Sequence, residues 1–77
     1  MKIKILVFGI LADRIGQTTI ETSSRKSVGE LREFLVSEYP QLENLRYSIS
    51  VNRQISDDDK QIKGGDEVAL LPPFAGG

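Results

Sequence analysis

The sequence predicts an α+β fold in which a mixed β-sheet grasps one main helix, followed by a flexible C-terminal tail that ends on two glycines. Three observations carry this. Met1 to Phe8 alternates Ile3, Ile5 and Val7 with Lys2, Lys4, Leu6 and Phe8, the period-two pattern of a half-buried strand. Ser27 with Glu30 three residues on opens a helix with a capping box. Val68-Ala69-Leu70-Leu71 is a short apolar run bounded by Gly64-Gly65-Asp66 and Pro72-Pro73, as expected of a core strand.

The elements follow in order. After the first strand, Gly9 to Gly16 is too long for a tight hairpin and is expected to hold a helical turn. Leu6 and Phe8 then have two readings: an open apolar surface for a partner, or a surface covered by this connection. Gln17 to Thr22 reads as the second strand, antiparallel to the first. In the helix, Val28, Leu31 and Leu35 share one face with Phe34 at its border, while Glu30, Arg32, Glu33 and Glu38 face water. Tyr39-Pro40 ends it, because the residue before proline disfavours the helical region. Arg32 reads as a solvated charge rather than a recognition residue.

Leu42 and Leu45 pin a loop, and Tyr47, Ile49 and Val51 alternate with Ser48 and Ser50 as another half-buried strand. Asn52-Arg53-Gln54 turns the chain into a short strand at Ile55. Asp57-Asp58-Asp59 is a solvated turn, since it lacks the spacing and glycine of a calcium loop. Ile62 is a core plug ahead of the last strand. Two hairpin units joined by one helix place the first and last strands side by side and parallel. The other face of the sheet is left free, with Leu6, Phe8 and Leu71 gathered near the root of the tail.

Composition excludes much. The 77 residues make one domain, with ten basic against eleven acidic residues for a net charge of −1. No basic run points to nucleic acid or an anionic membrane surface. Apolar runs of about four residues fall far short of the ~20 a membrane helix needs. With no signal-peptide pattern at the start, a cytoplasmic location is expected. Cysteine and histidine are absent, which removes disulfides, thiol nucleophiles, Cys/His metal sites and imidazole catalysis; no bound metal or cofactor is expected. A self-contained enzyme is not expected, and the chemical candidate that is left is the C-terminal carboxylate. Pro72-Pro73 favour an extended exit from the sheet, and four further extended residues reach roughly 13 Å. Gly76 and Gly77 carry no Cβ, so such an end fits a tunnel too narrow for side chains.

The chain resembles a known family. Ile3-Lys4-Ile5-Leu6-Val7-Phe8, Gly16, Ser27-Val28 with Leu31, Tyr39-Pro40 with Leu42, Val51-Asn52, and above all Gly65 to Leu71 with Pro72-Pro73 and Gly76-Gly77 are similar to the small-subunit family of molybdopterin synthase. The similarity runs the whole length and departs at Gly9, where alanine is usual, and at Phe74, where a smaller aliphatic residue is common. It implies a ubiquitin-like β-grasp domain over residues 1–73 and a sulfur-carrier tail over 74–77. It implies that an adenylating enzyme of the ubiquitin-activating type uses ATP to activate the Gly77 carboxylate, and that a sulfur donor replaces AMP. The tail would then enter a large subunit, in a heterotetramer of two small and two large subunits. There two such sulfurs convert cyclic pyranopterin monophosphate to the molybdopterin dithiolene. On this resemblance Gly77 carries the sulfur, Gly76 lets it thread and Pro72-Pro73 hold the tail clear of the body. Phe8, Leu71, Phe74 and Ala75, with the prolines, are the expected partner contacts. Three alternatives stand beside it: the sulfur carrier of thiamine thiazole synthesis, a protein modifier joined to lysines through Gly77, and an adaptor whose terminal glycines do nothing.

Overall fold

The structure is a computed structural model, and it describes residues 2–23 and 25–72. The elements run β1 (Lys2–Val7), α1 (Gly9–Ile15), β2 (Thr19–Ser23), α2 (Val28–Glu38), a 3-10 turn (Pro40–Leu42), β3 (Ser48–Val51), β4 (Gln54–Ile55) and β5 (Val68–Leu71). The sheet order is β2-β1-β5-β3-β4, with β1 and β5 parallel and the other pairs antiparallel. The expected parallel neighbours are therefore paired at the middle of the sheet. Both helices contribute to a single core on one face.

That core follows from the alternation. Ile3, Ile5 and Val7 of β1 are buried, as are Ile20, Ile49, Val51, Val68 and Leu70 of the other strands. Val28, Leu31 and Leu35 close over them from α2, with Phe34 half-buried beside the cluster. Fully burying one such side chain contributes about 1.5–3 kcal/mol. Ser27 caps α2 as expected, its hydroxyl accepting from the Glu30 amide at 3.3 Å. The first two amides of the helix find other partners: Val28 donates to the Lys60 carbonyl at 2.9 Å and Gly29 to the Asp58 carbonyl at 3.0 Å. The Asp57-Asp58-Asp59 stretch is thus a bracket for a helix end. Asp57 accepts from the Asp59 amide, and Asp58 pairs with Arg32 at 3.0 Å.

Three expectations change in detail. The Gly9–Gly16 connection holds a seven-residue helix, and its Leu11 and Ile15, one turn apart, bury into the core. Gly16 ends it at φ 85°, its amide returning to the Ala12 carbonyl at 2.7 Å. The second strand begins at Thr19, two residues later than the pattern implied. Arg32 is paired with Asp58 and lies over the Tyr47 ring at 5.3 Å, so it is tied to its neighbours rather than solvated alone. Among the described residues no helix is long and apolar enough to cross a membrane.

Candidate functional site

The free face of the sheet is open. With Ile5, Val7, Val68 and Leu70 facing the helices, the strand period sends Leu6 and Phe8 of β1 and its exit, and Ala69 and Leu71 of β5, to the opposite side. There, with Ser50, Arg53 and Glu67, they line a trough of about 320 Å³. The register places Leu6 beside Ala69 and Ala69 beside Ser50. Ile55 pairs with Ser50 and so extends the same face toward the sheet edge. Phe8 is 45% exposed and Ile55 64%, large apolar surfaces that no element among the described residues covers. This decides between the two readings of Leu6 and Phe8: α1 packs its Leu11 and Ile15 into the core on the other side and does not cover them.

One rim of the trough is charged. Arg53 sits at the β3–β4 turn, where Asn52 and Arg53 both adopt positive φ (53° and 70°), the requirement of a type I′ hairpin turn. Its guanidinium pairs with Glu67 at 3.4 Å. Both partners are well exposed, so the pair contributes about 0–1 kcal/mol to stability. Asn52 holds the approach to β5: its Nδ2 donates to Asp66 Oδ1 at 3.1 Å, and its Oδ1 accepts from the Glu67 amide at 3.0 Å. Asp66 also accepts from the Lys63 amide at 2.8 Å. That backbone bond first, then the Asn52 bond, holds the Asp66 carboxyl below its ordinary value of 3.8, with desolvation opposing and Lys60 and Lys63 helping.

The chain leaves the sheet at the end of this trough. The Phe8 amide donates to the Leu70 carbonyl at 3.2 Å, extending β1–β5 pairing one residue past the strand. Leu71 pairs with Ser48, and Pro72, lacking an amide hydrogen, stops the ladder. Pro72 lies against Gly9, whose φ is +61°; a Cβ built there would be 2.8 Å from Pro72 Cγ. Leu71 is half-buried beside the trough, where the pattern put it, and Phe8 is across from it. Pro73, Phe74, Ala75, Gly76 and Gly77 lie outside the described residues.

The trough is lined by apolar side chains, Ser50 and the Arg53–Glu67 pair. Ser50 is buried, but the chain holds no histidine to activate its hydroxyl. Among the described residues no cluster of acidic side chains could hold a metal ion. A second depression, of about 500 Å³ beside Ala12, Asp13, Gly16, Gln17 and Thr18, is more open and lies at the far end of α1. Sequence reasoning missed Ala69, Ser50, Ile55, Arg53, Glu67 and Gly9. The first three were recoverable from strand period alone.

In sequence the chain is similar to a molybdopterin synthase sulfur carrier subunit of Mycobacterium tuberculosis (strain ATCC 25618 / H37Rv). It is 32% identical over 82 aligned residues, covering all of this chain and 99% of that one. The crystal structure of SAMP1 from Haloferax volcanii superposes with a TM-score of 0.82 at 25% identity, covering both chains fully. A chain from the protein–protein complex of subunits 1 and 2 of the molybdopterin-converting factor of Helicobacter pylori 26695 matches with a TM-score of 0.72 at 28% identity, again over both full lengths. These matches bear out the ubiquitin-like β-grasp fold and the resemblance read from the sequence motifs. The ThiS family model matches residues 5–77, and the chain belongs to that family.

Proposed function

We propose that this chain is the sulfur carrier subunit of a molybdopterin synthase, with the Gly77 carboxyl as its one reactive group. The observation that carries the reading is the exit of β5. Leu70 is sealed in the core, Leu71 stands beside Phe8 over an apolar trough, and Pro72 ends the ladder where the sequence runs on to Gly76-Gly77. The names of the Mycobacterium tuberculosis and Helicobacter pylori relatives support it.

The chemistry is acyl activation. A carboxylate is a poor acyl donor because resonance stabilises it and oxide is a poor leaving group. Attack of the Gly77 carboxylate on the α-phosphorus of ATP, on an adenylating partner, releases pyrophosphate and forms an acyl-adenylate. A sulfide-level donor then forms the C–S bond as the C–O bond to AMP breaks, leaving a thiocarboxylate. Delivered to a large subunit, that sulfur forms a C–S bond to cyclic pyranopterin monophosphate as a C–O bond at the same carbon breaks, its oxygen leaving with phosphate or as water. Hydrolysis of the resulting acyl–sulfur bond returns the Gly77 carboxylate, and a second carrier supplies the second sulfur of the dithiolene. The body contributes binding: Phe8, Leu71 and the trough dock, the Arg53–Glu67 rim orients, and Pro72-Pro73 with Phe74 and Ala75 lead the glycines into the partner. On this reading catalysis is the partners' work and the carrier acts in the cytoplasm.

Incubation with ATP, an adenylating enzyme and sulfide, followed by intact mass measurement, tests this directly. The expected product is heavier by the difference between sulfur and oxygen and becomes alkylatable at its C-terminus. An unchanged mass in the presence of a competent activating enzyme would end the reading. The likeness to SAMP1 favours one second reading, a modifier in which a lysine amine attacks the same acyl-adenylate. Higher-mass conjugates in cells, detected through an epitope at the N-terminus, are its signature.

A further inference from the structure

We infer that the open face of the sheet is self-complementary, and that the free chain uses it to form a weak two-fold dimer with a second copy of itself. A row of charges bounds the apolar trough on one side. Glu21 lies opposite Lys4 in the β1–β2 register. One step before the Ile5–Val68 pair, the β1–β5 register sets Lys4 beside Glu67. Glu67 in turn holds Arg53 at 3.4 Å. Four exposed side chains therefore cross the sheet in the order minus, plus, minus, plus. Among the described residues Lys4 and Glu21 close no ion pair, and the Arg53–Glu67 pair is itself exposed, so all four remain open to a facing surface.

An alternating row of this kind reads the same backwards with its signs exchanged. A two-fold axis running along the sheet between β1 and β5 reverses the strand order of the facing copy and keeps each residue's height along the strands. It lays β1 of one copy over β5 of the other, as in aligned sheet packing with layers about 10 Å apart. Glu21 then faces Arg53 of the second copy, and Lys4 faces its Glu67. Every charge meets its opposite. The apolar rows obey the same operation. Leu6 lies beside Ala69, so the axis sets the longer side chain over the shorter one. Phe8 continues the register beside Leu71, its amide bonded to the Leu70 carbonyl, and it faces Leu71 of the second copy.

Three such rows at a same-face spacing of ~6.8 Å, across four strands ~4.8 Å apart, cover roughly 400 Å² per copy. A standard interface buries about twice that on each partner, so the dimer is weak, with a Kd between about 10 µM and about 1 mM. A cover of that strength keeps Phe8 and Leu71 from water and still yields to a partner that binds the same face more tightly. Dimerisation does not depend on the carrier reading, because two copies meet without ATP or sulfur.

Sedimentation equilibrium of the full chain at low salt, from about 10 µM to about 1 mM, tests this. The wild type is expected to pass from monomer toward dimer across that range. Lys4→Glu and Glu67→Lys each set like charges opposite one another twice across the axis, and each is expected to weaken the dimer by more than about tenfold. Mixed in equal amounts, the two variants regain opposite charges at all four positions, and a heterodimer as strong as the wild-type dimer is expected. Both residues are exposed, and a melt of each variant checks that the fold is kept. Amide chemical shifts of the wild type give a second readout: those of Leu6, Glu21 and Ala69 should move with concentration, and those of Asp13 and Gln17 on the other depression should not. A mixture no stronger than either variant alone, or shifts centred on α1, would overturn the inference. So would a wild type that stays monomeric at about 1 mM, and binding of a large subunit through the same face would then reserve it for that partner.

Discussion

Leu70 and Leu71 are adjacent in sequence and opposed in space: Leu70 is fully buried against the helices, and Leu71 lies half-exposed beside Phe8 on the open face. The two should therefore separate folding from docking. Leu70→Ala removes core contacts and is expected to cost about 2–5 kcal/mol. Leu71→Asp places a carboxylate at the trough, where water reaches it in the free domain but not in a complex. It should leave the thermal midpoint within a few degrees while weakening binding to a large subunit by more than about tenfold, as truncating a central interface anchor does. Thermal denaturation and titration calorimetry on both variants check this, and an unfolded Leu71→Asp would mean the side chain belongs to the core.

The features legible in the sequence were those written in local rules. Alternation of Ile3, Ile5 and Val7 gave β1 and its buried face, Ser27 with Glu30 gave the start of α2, and the bounded run Val68–Leu71 gave β5. Helix α1 was only half visible, because two core residues, Leu11 and Ile15, in a seven-residue helix that starts at Gly9 establish no period. Ser50 was expected to face water from a half-buried strand. It is buried because β3 pairs on both sides, with Ala69 beside it and Ile55 opposite. The roles of Gly9 and Arg53 depend on contacts with Pro72 and Glu67, far along the chain, which no local pattern encodes.

The Arg32–Asp58 pair joins α2 to the loop that brackets its first turn, at 3.0 Å but with both side chains substantially exposed. Screening limits such a pair, so Arg32→Ala is expected to cost about 1 kcal/mol or less, part of it from lost packing over Tyr47. Urea denaturation at low and high salt checks this. A loss well above that range would mean that the ion pair, rather than the Val28 and Gly29 amide bonds, holds the helix end in place.

Deletion of Gly77 should abolish thiocarboxylate formation and leave stability nearly unchanged, because among the described residues the buried core runs no further than Leu70. The shortened chain still ends in a carboxylate, on Gly76, so the loss would show that reach matters as well as chemistry. An adaptor would retain partner binding without loss of function. Mass measurement after charging, paired with a thermal melt, separates these outcomes, and full charging of the shortened chain would remove Gly77 from its assigned role.

Asp66 supplies the pH dependence that the fold itself predicts. Its carboxylate accepts from the Lys63 amide and from Asn52 Nδ2, bonds that favour the charged form and lower its pKa below 3.8. A depressed folded-state value means that the unfolded chain takes up the proton first. The stabilisation is then complete above 3.8 and is lost as pH falls through that value and on through the lower folded one. Asp66→Asn replaces one acceptor oxygen with an NH₂ group facing one of these two donors, which removes the contribution at every pH. The thermal midpoints of wild type and Asp66→Asn should therefore differ at neutral pH and converge in acid below 3.8. Melts recorded from neutral pH down into that range decide the matter: a gap that stays constant would show that the bracket of Asn52, Lys63 and Asp66 contributes nothing that depends on the charge of this carboxylate.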